Sequence, residues 1–279
     1  MKNWRISSIR KQPNKSRFLC GLGLLVVLLA LASLCFGAVP LTPEEILGAF
    51  LGGTRDSAAS QIVLLARLPR TCGCLLAGAA LAVSGTVIQG VLDNPLASPN
   101  IIGVNSGAGL LVAVSCALFP NTVTLIPFTA ILGAAGAVFL VLFLAERTGA
   151  SRITLVLAGI AVSGIFSAGI DAVVTFVPEA LNGYSDFRIG GLANLSMTRV
   201  APAFWIILVA MLLVLSLSGE LDVLLLGTET ARSLGLPAKQ LRLTLLALAA
   251  ALAGAAVSFA GLLGFVGLMV PHIMRRLLG

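Results

Sequence analysis

Charge is scarce in this chain. Asp, Glu, Lys and Arg make up 10% of its 279 residues, against about a quarter in soluble domains. A chain that is 58% hydrophobic cannot hide that much apolar surface inside its own core, so lipid must be the solvent for much of it. Lysine is scarcer still. Lys2, Lys11, Lys15 and Lys239 are the whole set, and none follows a glycine, which excludes a phosphate-cradling Gly-Lys-Ser/Thr loop. The single histidine, His272, excludes an HExxH pair and reads as a structural residue at a helix end; a Gly-x-Ser-x-Gly elbow is absent too. Cys20, Cys35, Cys72, Cys74 and Cys116 have neither zinc-finger spacing nor a secreted disulfide framework, and read as small hydrophobes. No catalytic or metal-ligating set emerges.

Long apolar runs are what the chain has in abundance. Backbone polar groups in lipid must be satisfied internally, so such runs imply helices, and the weak alternation of a barrel is not seen. Eight spans are expected, at about Phe18–Phe36, Thr71–Val91, Leu96–Leu118, Thr124–Ala145, Ile153–Val174, Ala201–Leu217, Leu241–Val257 and Phe259–Ile273. The first is longer than a signal core and reads as a retained span. The fold class is all-α polytopic membrane protein, with a basic tail over 1–17 and a membrane domain over 18–279. The basic flanks set orientation. With the tail in the cytoplasm, alternation puts thirteen Lys and Arg inside and five (Arg55, Arg67, Arg70, Arg188 and Arg199) outside. These short flanks do not suggest nucleic acid. Outside, Thr42-Pro43-Glu44-Glu45 reads as the capped start of a short surface helix, and 175–199 as broken helical turns.

Against this background "VLDNPLASPNIIGVNSGAG" (91–109) stands out. Asp93, Asn94 and Pro95 form the turn between the second and third spans, and Pro99 makes the third start irregular. Asn94, Ser98, Asn100, Asn105 and Ser106 can satisfy the freed backbone, and Gly103 and Gly107 suit close helix contact. Packing and pathway lining both fit these residue types. Gln89 and Ser84 could likewise face a pathway or a neighbour. Arg67 and Arg70 share a helix face, where they could snorkel or dock a partner. Asp171 is an acid near a span end, either a gate contact or solvated. "GTETARSLG" (227–235) reads as a short capped helix closed by glycine.

Three blocks resemble one family. "RLPRTCGCLLAGAALAVSGTVIQGVLDNPLASPNIIGVNSGAG", "LLLGTETARSLGLPAKQLR" and "AGLLGFVGLMVPHIMRRLLG" are similar, in order, to segments of the FecCD-type permeases, the membrane subunits of ABC importers for iron–siderophore complexes, haem and cobalamin. The resemblance implies a ten-span subunit of a bacterial inner membrane. It would pair with a second permease subunit, identical or paralogous, and bind no cofactor itself, ATP being used by cytoplasmic ATP-binding subunits. Family members continue with about two more spans, so truncation after Gly279 is expected. The resemblance gives Arg67 and Arg70 to docking of a substrate-binding protein. It implies a central pathway between the paired subunits, for which Gln89, Asn94, Pro95, Asn105, Ser106 and Gly107, at or near the turn between the second and third spans, are the candidates by residue type and place. Within 219–240 it makes Glu229, Arg232, Ser233, Leu234 and Gly235 the coupling contacts with the ATPase. The expected cargo is an iron(III)–siderophore complex, with haem or cobalamin as alternatives. A secondary transporter would need acids deep in the spans, where only Asp171 comes close. An intramembrane enzyme would need a nucleophile and base that are not there.

Overall fold

The computed structural model describes residues 15–51, 57–120, 122–148, 151–193 and 195–278. Most of the expected basic tail, and Arg55, lie outside these. Among the described residues the structure is helical, with no strand. Helix α1 (Lys15–Cys35) is apolar all round and buries none of its apolar stretch, as suits a helix bathed in lipid. The short helix α2 (Pro43–Leu51) starts as its sequence suggests. The Thr42 N–H donates to Glu45 Oε2 at 2.7 Å and the Glu45 N–H to Thr42 Oγ1 at 3.3 Å, which is a capping box.

Helix α3 (Ala58–Leu92) begins well before the expected Thr71. It stays continuous because residues Ile62–Arg67 widen into a π-helical turn, with the Leu68 N–H reaching Val63 O. The cause lies just beyond. Pro69 has no N–H, and its ring would clash with the Leu65 carbonyl in a tight α ladder.

The expected third span has the irregular start that Pro95 and Pro99 suggest, and its regular helix begins only at Val104. Asp93 ends α3 in the left-handed region (φ 50°), Asn94 Oδ1 accepts from the Leu96 N–H at 2.9 Å, and a 3₁₀ turn follows over Pro99–Ile102. Gly103, at φ 82°, then opens α4 (Val104–Leu118). Only glycine takes that φ without strain. Ala97, Ser98, Pro99, Ile102 and Gly103 are buried, so protein encloses this part of the irregular backbone, while Asp93, Pro95, Leu96 and Asn100 are exposed.

Helices α5 (Ile126–Arg147) and α6 (Arg152–Phe176) follow as expected, the latter capped by Ser151. The loop at 175–199 holds a helix, α7 (Ala180–Ile189). Then come α8 (Met197–Ser216), α9 (Ser218–Leu225), α10 (Thr228–Ser233), α11 (Ala238–Ala260) and α12 (Val266–Leu278). The last span starts seven residues later than the expected Phe259, because Gly261 (φ 76°) turns the chain out of α11. Among the described residues six helices are long and apolar enough to cross a membrane, namely α1, α3, α5, α6, α8 and α11; α4 is shorter, and α12 carries Pro271.

Helix α11 is the hub, with 16 of its 23 residues buried against α3, α5 and α8. Its alanines let backbones approach, since apolar side chains gain nothing from leaving lipid and small residues maximise contact. Ser84 on α3 donates from Oγ to Ala249 O at 2.6 Å, which makes it a packing residue. Glycines bring the tightest approaches. A methyl on Gly107 would overlap the Gly133 carbonyl, one on Gly85 the Gly267 carbonyl, and one on Gly159 the Ile101 carbonyl.

Candidate functional site

The ends of the helices form two rims. At one, Arg67 and Arg70 part company. Arg70 is exposed, whereas Arg67 is buried. Arg67 Nη1 donates to the carbonyls of Leu34 (2.7 Å) and Cys35 (2.8 Å), and Nη2 to that of Val39 (2.5 Å). The expectation that both arginines face a docking partner therefore needs correction. Arg67 satisfies the orphan carbonyls at the end of α1 and ties α1 to α3. A planar fork of permanent charge suits that task. No motif spacing signals it, because the partners are backbone atoms more than twenty-five residues away.

The same rim holds a cavity of about 390 Å³ lined by Asp186, Phe187, Arg199, Ser258 and Gly261, among others. Beside it α7 is latched to the end of α11. The Gly191 N–H donates to Ala260 O at 2.8 Å and the Leu262 N–H to Phe187 O at 3.2 Å. Asp171 is exposed near the C-terminal end of α6, and its own backbone carbonyl accepts from Thr175 Oγ1.

Inside the bundle, Gln89 is not on an open path. It is buried between α3 and α12, where its Nε2 donates to Leu268 O at 3.3 Å and its Oε1 accepts from Arg275. Gly107 is likewise a contact residue, packed on Gly133. Ser106 Oγ donates to Gly103 O at 3.1 Å, closing the first turn of α4. Asn105 Oδ1 and Ser163 Oγ are buried without a partner, which leaves hydrogen-bonding capacity between α4 and α6. Asn94 and Pro95 sit at the turn, Pro95 exposed.

The second rim is the charged one. Arg152 Nη1 meets Asp93 Oδ2 at 2.6 Å, joining the start of α6 to the end of α3, and Lys239 meets Glu146 at 3.4 Å, joining α11 to α5. Arg242 Nη2 donates to Thr228 Oγ1 at 3.0 Å, holding α10 on α11. Sequence reasoning did not pair these residues, which lie on separate helices. On α10 itself Ala231 is buried, while Glu229, Arg232 and Leu234 project outward. Glu229 and Arg232 approach to 3.5 Å, Ser233 Oγ bonds back to Thr230 O, and Gly235 (φ 81°) ends the element.

The described residues thus form a bundle of long apolar helices with a broken connection between α3 and α4 and a short helix on the charged rim. The model of the FecCD transport family matches residues 24–279. The chain belongs to that family. It is 35% identical to the Fe(3+)-citrate import system permease protein YfmE of Bacillus subtilis, over 97% of this chain and 81% of that protein. It is 38% identical to the achromobactin transport system permease protein CbrC of Dickeya dadantii, over 91% and 73%. The hemin transport system permease protein HmuU of Yersinia pestis is 35% identical over 92% and 77%. Among solved structures, a metal-chelate type ABC transporter in an inward-facing conformation superposes with a TM-score of 0.83 at 31% identity, covering 95% of this chain and 82% of that one. This FecCD permease is thus a multi-pass membrane protein of the transport machinery.

The Gln89–Arg275 contact in the permease carries a prediction. Gln89→Leu should remove the donor to the Leu268 carbonyl and the acceptor for Arg275, and cost about 1 kcal/mol because water can still reach the exposed guanidinium. A thermal melt of the detergent-solubilised protein should show the loss, while Thr86→Val, at an exposed position one turn away, should leave the melt in place.

Proposed function

We propose that this permease is the membrane subunit of a binding-protein-dependent ABC importer that brings iron(III)–siderophore complexes into the cytoplasm. ATP-binding subunits supply the energy on the charged rim, and a substrate-binding protein delivers cargo to the Arg70 rim. A second permease copy or paralogue completes the pathway. The N terminus is cytoplasmic and the membrane is the bacterial inner membrane. The permease itself hydrolyses nothing and binds no cofactor.

The observation that carries the reading is α10. Its buried Ala231 and the Arg242–Thr228 bond seat it firmly on α11, while Glu229, Arg232 and Leu234 stand free of the bundle. A short helix fixed to a long one transmits displacement, so a motor gripping Leu234 would move α11, the hub of the core. Ser233 and Gly235 shape the end of this segment, which lies within 219–240. On the opposite rim, Arg70 is the arginine of its pair left to meet a carboxylate. The names of the ferric-citrate and achromobactin relatives favour a ferric chelate. The hemin permease, 35% identical, makes haem the second reading.

The test is reconstitution. Proteoliposomes holding the permease, its ATP-binding subunits and its binding protein should take up a radiolabelled ferric siderophore only with ATP. Uptake without nucleotide would overturn the proposal, and uptake of haem alone would move the cargo to the second reading. Leu234→Asp with Arg232→Glu should abolish co-purification of the ATP-binding subunit while leaving the permease folded. Retained co-purification would remove α10 from coupling.

A further inference from the structure

Helix α2 is nine residues long, about 14 Å, less than half the ~30 Å of a hydrocarbon core, so it cannot cross. Its two sides differ. Leu47, Phe50 and Leu51 are exposed at 62%, 50% and 77%, and their i, i+3, i+4 spacing puts them on one stripe. Ala49 points the other way and is buried, with α2 packed on residues 58–67 at the start of α3. The stripe is not isolated. Phe36 and Val39, in the connection from α1, are exposed too, as is Leu65.

We propose that α2 lies in the plane of the membrane interface, with Leu47, Phe50 and Leu51 embedded in the phospholipid leaflet at the Arg67 rim. Continuity identifies the occupant. Helix α1 has no buried apolar stretch, so lipid surrounds it. Its end is held by the Arg67 hydrogen bonds to Leu34, Cys35 and Val39, so α2 starts where the lipid-facing surface reaches the headgroups. The exposed apolar surface runs on through Phe36 and Val39 into the stripe. A protein partner would have to interrupt that surface. The only charges on α2 are Glu44 and Glu45 in its first turn, so the helix enters by apolar contact and needs no anionic lipid. Because α2 also packs on the start of α3, its hold on the leaflet fixes the depth of α3 in the membrane. The proposal does not depend on which cargo the permease carries.

The experiment places tryptophan on α2 of the full chain in phosphatidylcholine nanodiscs, with or without bromine on the upper acyl chain. Relative to the native tryptophans, the signal added by Leu47→Trp and Leu51→Trp should be blue-shifted and largely quenched by the brominated lipid. That of Glu45→Trp, off the stripe, should persist. Phe50→Trp is the conservative variant should the leucine changes impair folding. Emission from the stripe that is indifferent to bromine would overturn the proposal. So would quenching that is relieved when binding protein is added, since the face would then belong to a protein.

Discussion

Arg67→Ala should unseat the first helix, whereas Arg70→Glu should leave the fold intact and disable docking. The two side chains are three residues apart, yet they sit in different physical worlds. Arg67 is buried, and its guanidinium serves the carbonyls of Leu34, Cys35 and Val39. Truncation removes all three of these charge-assisted hydrogen bonds at once. Hydrogen bonds to a charged group contribute about 1.5–3 kcal/mol each, so a combined loss of about 3 kcal/mol is a conservative expectation, roughly a hundredfold in the folded population. Arg67→Lys should recover little, because an ammonium cannot reach around the end of α1 as a planar fork does. Thermal melts in detergent check the first half of the expectation. Binding-protein affinity in nanodiscs checks the second, where Arg70→Glu should lower affinity at an unchanged melting temperature. An Arg67→Ala protein as stable as the parent would show that the clamp is incidental.

Gly133→Val should prevent the bundle from closing, while Gly136→Val on the same helix should be tolerated. A methyl at Gly133 overlaps the Gly107 carbonyl and presses on Ala108 Cα; at Gly136 it meets nothing within 4 Å. The obstacle at Gly133 is backbone, so no rotamer change can make room, and α4 and α5 must separate. Overpacking costs about 1–3 kcal/mol where side chains can yield, and more where they cannot. The α4–α5 contact is also the wall behind the broken hairpin, so the damage should reach the buried turn at Pro99–Gly103. Size-exclusion profiles of the two variants give the readout: an aggregated or degraded Gly133→Val beside a monodisperse Gly136→Val. Equal behaviour would mean that this helix pair is looser than its geometry shows.

Much of the permease is legible from residue order. Scarce charge and long apolar runs determine that the chain spans a membrane as helices, because lipid offers the backbone no hydrogen-bonding partner. Thr42 to Glu45 announces α2, Asn94-Pro95 and Pro99 announce a broken entry to α4, and the three blocks announce the family. These are local signals, carried by residues close in sequence. Tertiary structure alone decided the rest. It buried Arg67 but not Arg70, because the acceptors on α1 come from a distant segment. It turned Gln89 and Gly107 from pathway candidates into contacts, because their partners, Gly267, Leu268, Arg275 and Gly133, lie on other helices. It joined Asp93 to Arg152 and Glu146 to Lys239 across the charged rim. Periodicity states which side of a helix is apolar. In a chain apolar on nearly every side it cannot say which side meets protein and which meets lipid, and that choice settles what each polar residue is free to do.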